Sequence, residues 1–70
     1  MVTYAFCDES GNITSVCRRN VLPNVIEQVM NAPDGGFYID LTGDGTFNSL
    51  DMNDLCNNYI YNGYRLVGKL

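Results

Sequence analysis

The stretch that decides the fold is residues 3–17, which read TYAFCDESGNITSVC. Two runs rich in β-forming residues, Thr3–Cys7 and Ile13–Cys17, flank a Ser-Gly-Asn segment at residues 10–12. Runs of this kind around a glycine-containing turn are typical of a β-hairpin. We therefore predict that the chain opens with two antiparallel strands.

A helical pattern of apolar residues follows the predicted hairpin. These residues recur with the spacing of a single helix face and form one stripe, at Val21, Leu22, Val25, Ile26, Val29 and Met30. Asn20 is the predicted N-cap, and Pro23 then falls in the first turn, where proline is tolerated. Proline and glycine residues between 31 and 36 end the helix.

The second half of the chain predicts a strand, a helix and a closing strand. Phe37–Ile39 is apolar and β-prone, which indicates a short buried strand. A helix is predicted from about Leu50 to Tyr61, because apolar residues again follow helical spacing. Asn62 and Gly63 form a helix stop, and Tyr64–Val67 is a candidate strand.

These elements predict a small single domain of the α+β class that covers residues 1–70, with a β-hairpin, two helices and one or two further short strands. The alternative is an all-α fold, with two loop-helix units of which the first is degenerate. A third strand beside the hairpin distinguishes the two folds.

Size and charge exclude several function classes. Seventy residues are near the lower limit for a domain that folds alone. The net charge is −4, and the basic residues are too few and scattered to neutralise several phosphates, so nucleic-acid binding is not expected. No apolar run approaches the length of a membrane helix. The first residues lack the pattern of a signal peptide, which favours a cytoplasmic protein.

The cysteines predict buried thiols. Cys7, Cys17 and Cys56 are an odd number, which argues against a disulfide framework. The chain has no histidine and no close cysteine pair to build a zinc site. A bridge between Cys7 and Cys17 across the hairpin stays open, because the register of the strands is unknown.

Residues 40–51, DLTGDGTFNSLD, match the pattern of a twelve-residue calcium loop. A hard cation needs six or more oxygen ligands that converge from alternating positions. The candidate metal ligands are Asp40, Thr42, Asp44, Thr46 (through its carbonyl), Asn48 and Asp51. Gly45 takes the position of the sharp turn, and Phe47 is the inward apolar anchor. Thr42 in place of a carboxylate and Asp51 in place of glutamate both lower the expected affinity.

The loop and the helix after it, residues 40–60, resemble one repeat of a dockerin, a calcium-binding module that tethers enzymes to cohesins. Dockerins also end this loop with aspartate. The resemblance implies bound Ca²⁺, a protein partner and an extracellular location. It also implies partner contacts near Ser49, Leu50, Cys56 and Asn57.

A second such loop is not expected. Asp8, Ser10 and Asn12 have the ligand spacing, but Ile13 replaces the turn glycine and Arg19 the closing carboxylate. This segment is therefore predicted to be a hairpin turn. Residues 40–51 also have a metal-free interpretation as turn and helix-cap residues, with Asn48 as the N-cap of the second helix and Asp51 three residues on.

Two functional hypotheses remain, and neither is an enzyme. Without histidine there is no His-based acid–base pair, and a chain of this size can hardly enclose a substrate. The first hypothesis is a protein-interaction module with calcium in the loop Asp40–Asp51. The second is a small acidic intracellular regulator or inhibitor, of the kind encoded by phages or mobile elements, that binds a larger protein without metal. A homodimer is compatible with either.

Overall fold

The computed structural model describes residues 1–32, 34–43, 45–48 and 50–69. The elements follow in chain order: β1 (Val2–Cys7), β2 (Ile13–Arg19), α1 (Val25–Asn31), β3 (Phe37–Asp40), α2 (Gly45–Asn48), α3 (Met52–Asn58), β4 (Tyr59–Tyr61) and β5 (Leu66–Gly68).

A three-stranded antiparallel sheet in the order β2-β1-β3 organises the fold. The register between β1 and β2 pairs Tyr4 with Cys17 and Ala5 with Val16, and β3 pairs with the other side of β1, with Ile39 opposite Ala5. The third strand beside the hairpin confirms the α+β fold, and the all-α alternative is wrong.

The hairpin turn is held by the Asp8 side chain. Its Oδ1 accepts the backbone N–H groups of Ser10 and Asn12, each at 2.9 Å. Desolvation opposes ionisation of this carboxyl, but the hydrogen bonds from Asn12 and Ser10 outweigh it and lower the pKa of Asp8. The Asp8–Asn12 segment is thus the predicted turn, and the Asp8 carboxylate stabilises it by accepting backbone hydrogen bonds.

Side chains alternate between the two faces of β1, and the inner face carries the main core. Ala5 and Cys7 lie on this face, opposite Ile39 and Phe37 of β3. The helix α3 contributes Leu55 to this core, and β5 contributes Leu66. The buried members of the core are Ala5, Cys7, Ile13, Leu41, Leu55 and Leu66.

The opposite face of the sheet is aromatic. Tyr4 and Phe6 are almost fully buried there, and their rings meet edge to face with centroids 5.7 Å apart. Tyr38 of β3 packs edge to face on Tyr4 at 6.4 Å. Cys17 lies opposite Tyr4 in the register, so Cys7 and Cys17 lie on different faces. A bridge between them is excluded, and all three cysteines are free thiols.

Both predicted helices are shorter in the structure. α1 begins at Val25 with Asn24 as its N-cap, whose Oδ1 accepts the N–H of Glu27 at 2.9 Å, so the prediction of Asn20 as the cap is wrong. Pro23 precedes the cap and is buried. α3 ends at Asn58, because Tyr59–Tyr61 instead pairs with Leu66–Gly68 as a second small sheet.

No helix in the described part of the chain is long and apolar enough to cross a membrane. Phe47 packs against the core as predicted, with its ring edge to face on Tyr59 at 5.1 Å. The predicted strand at Phe37–Ile39 is present but only half-buried.

Candidate functional site

The loop predicted to bind calcium begins where β3 ends. Asp40 is exposed, and its Oδ1 accepts the backbone N–H of Thr42 at 2.9 Å, which closes a local turn. The side chain and the backbone N–H of Thr42 lie beside this carboxylate and lower the pKa of Asp40. The ionised form of Asp40 is thus stabilised without a metal ion.

The Thr42 hydroxyl is bonded to the backbone of β1. Its Oγ1 accepts the N–H of Thr3 at 3.0 Å and donates to the Thr3 carbonyl at 3.3 Å. The hydroxyl therefore replaces a backbone hydrogen-bond partner beyond the end of β3. The N–H of Leu41 also donates to the Thr3 carbonyl there, at 2.8 Å. If Thr42 were a metal ligand, its hydroxyl oxygen would have to bind the ion in addition to making these two hydrogen bonds.

Asp51 is the N-cap of α3. Its Oδ1 accepts the N–H of Asn53 at 2.7 Å, and the carbonyl of Asp51 accepts the N–H of Leu55 at 3.1 Å. The prediction that Asn48 caps this helix is therefore wrong. The Arg18 guanidinium donates to the carbonyl of Leu50, which fixes the approach to α3 against β2.

The other predicted ligands lie wholly or partly outside the described residues. Asp44 lies outside the described residues, and Thr46 and Asn48 belong to α2 with side chains that are also outside them. Gly45, predicted to take the sharp turn of the loop, is the first residue of α2. Within the described residues, no three acidic, cysteine or histidine side chains gather as a metal site.

The most unusual surface lies on α1. Its four apolar helix residues, Val25, Ile26, Val29 and Met30, are between 70% and 77% exposed. Val21 and Leu22, just before the helix, are exposed as well. We call these six residues the α1 face. Large apolar side chains that are contiguous and exposed mark interaction sites in soluble proteins.

The polar side of α1 is less exposed than its apolar side. Glu27 and Gln28 are half-buried, whereas no residue of α1 is fully buried. Burial raises the pKa of Tyr4, and Cys17 and the charge of Glu27 raise it further. The apolar side of this amphipathic helix is therefore the side exposed to solvent. The sequence predicted the stripe but carried no signal for the side on which it would lie.

An open groove of about 400 Å³ runs between β3 and the β4–β5 hairpin. Its walls include three tyrosines, and its ionisable side chains of opposite charge are Asp40 and Arg65. Tyr64 is almost fully exposed at its rim. Such an open groove differs from the enclosed apolar pocket typical of substrate sites.

No protein-family model, curated protein or solved structure matches this chain. The dockerin resemblance therefore depends on residues 40–60 alone. Of the partner contacts it implies, Leu50 and Cys56 are half-buried and Asn57 is exposed, whereas Ser49 lies outside the described residues.

Proposed function

We propose that this chain is a non-enzymatic protein-interaction module that docks through the α1 face. The observation that carries the proposal is the exposure of the apolar side of α1, where four large apolar side chains lie in solvent while Glu27 and Gln28 are half-buried. An amphipathic helix gains stability when its apolar face is covered. The missing cover is best supplied by a protein surface that is itself apolar and uncharged.

Site-specific photo-crosslinking tests this proposal. A photo-crosslinking amino acid replaces Val29 on the α1 face, and in a matched protein it replaces Asn57 on the exposed side of α3. We expect a discrete covalent adduct between position 29 and a partner protein, and none from position 57. Mass spectrometry identifies the crosslinked peptide of the partner. An adduct only from position 57 would instead favour docking through α3, as in a dockerin. No adduct from either position would reject an interaction module.

The role of calcium separates two forms of the proposal. In the dockerin-like form, Ca²⁺ orders residues 40–51. In the metal-free form, the chain is an acidic regulator whose loop is held by its own hydrogen bonds. The bonds made by Asp40, Thr42 and Asp51 support the metal-free form.

Melting curves in calcium and in chelator distinguish these forms. For the metal-free regulator we expect the same melting temperature in both solutions. A higher melting temperature in calcium, with heat released in a calorimetric titration, would favour the dockerin-like form.

A further inference from the structure

We infer that the partner that covers the α1 face is a second copy of this chain, so that two α1 helices pack against each other across a twofold axis. This inference rests on the proposed function, because it names the partner of the same surface.

The first argument is chemical complementarity. The six side chains of the α1 face are apolar, uncharged and exposed, whereas Glu27 is half-buried. A good partner must offer a surface of the same kind, since an unpaired charge is costly to bury. Among the described residues, the other exposed large apolar side chains are Met1, Met52 and Tyr64, which belong to separate parts of the fold. The surface of this chain that best suits the α1 face is therefore the same face of another copy.

The second argument is area. At about 100 Å² of exposed apolar surface for each such side chain, the face offers on the order of 600 Å² per copy. A standard interface buries about 800 Å² on each partner. Residues at the rim that are not apolar can supply the difference, so the area is close to what a stable dimer needs.

The third argument is shape. α1 has seven residues, so its axis is about 10 Å long. Val25 and Val29 are one turn apart, and their small side chains let two helix axes approach to about 8 Å. Ile26 and Met30 lie on the next row, where they can pack against the partner's valines. A twofold contact presents the same patch on both copies, which a single face of this kind provides.

Sedimentation equilibrium of the purified chain tests the inference. From about 1 µM to about 1 mM, we expect a shift from 7.8 kDa towards twice that mass. Since each copy carries a net charge of −4, we also expect higher salt to strengthen association.

Two matched variants locate the contact. Val29→Glu buries a charge twice in the symmetric contact and should weaken association by about 100-fold or more. Met52→Glu adds the same charge at an exposed apolar position on α3 and should leave the dimer unchanged. If Val29→Glu fails to fold by circular dichroism, Val29→Ser gives a milder test, with about tenfold weaker association expected.

A chain of 7.8 kDa at every concentration would overturn the second copy as partner, and so would a dimer that survives Val29→Glu. If such a monomer still crosslinks from position 29 to a different protein, self-association fails while the interaction module stands. If position 29 crosslinks to nothing, both fail.

Discussion

At the scale of single residues, Gly11 is a position where the structure leaves no room for a side chain. Its φ is +90°, and an added Cβ would meet the carbonyl oxygen of Tyr61, whose N–H donates to the Gly11 carbonyl at 2.9 Å. We expect Gly11→Ala to lower the free energy of unfolding by about 2 kcal/mol, because it combines backbone strain with a clash. Urea unfolding measures the change. Gly43→Ala is the control, since its Cβ would meet nothing within 4 Å; equal losses in both variants would contradict this account.

Cys7 gives a second prediction at this scale. Burial raises the pKa of the Cys7 thiol to about 11, because a thiolate would be poorly solvated in the core. Because the pKa of Cys7 is raised in the folded state, the stability that comes from keeping this thiol protonated is complete below the ordinary thiol pKa. It is lost as the pH rises towards about 11. We expect unfolding free energy to fall over that range in the native chain and less in Cys7→Ala.

Thiol labelling checks the same point at neutral pH. Cys17 and Cys56 are half-buried, and they should react with a thiol reagent before unfolding. Cys7 should react only when the chain unfolds. Rapid labelling of all three thiols in the folded protein would show that the core around Cys7 is accessible to the reagent, against this prediction.

At the scale of elements, Asp51 separates helix capping from calcium binding. As the N-cap of α3 it needs only an oxygen that accepts the N–H of Asn53. Asp51→Asn keeps that oxygen, so we expect a small change, whereas Asp51→Ala should cost about 1 kcal/mol. Chemical unfolding of both variants, with and without calcium, measures this difference. A large loss in Asp51→Asn that appears only in calcium would instead assign the carboxylate to a metal ion.

The elements also show what the sequence could reveal. The β1–β2 hairpin was predictable because β-forming runs flank a turn that Asp8 and Gly11 hold locally. The end of α3 was not, because Tyr59–Tyr61 leaves the helical pattern to pair with β5 several residues later. Local propensity cannot register such pairing. The apolar stripe at Val25–Met30 was as predictable as the hairpin. Periodicity, however, does not say whether that side of the helix is buried or exposed.

The candidate site at residues 40–51 was likewise predictable from the sequence only in part. The residue types at 40–51 suit a cation and suit turns and caps, since both uses need short oxygen-bearing side chains. What the sequence could not show is the bond between Thr42 and Thr3, which joins residues 39 positions apart. That contact exists only once β3 is paired with β1.

At the scale of the whole molecule, size and the exposed α1 face lead to one prediction about stability. A domain of 70 residues buries little apolar surface for its length, and none of the six residues of the α1 face belongs to its buried core. If a second copy covers that face, association and folding are coupled, and the melting temperature rises with protein concentration. We expect such a rise by scanning calorimetry over a hundredfold range of concentration, about 5 °C or more. Val29→Glu should melt at one temperature throughout, whereas Met52→Glu should follow the native chain. A native melting temperature that does not change with concentration would mean that the fold is stable with the α1 face exposed, and that its cover must come from a different protein.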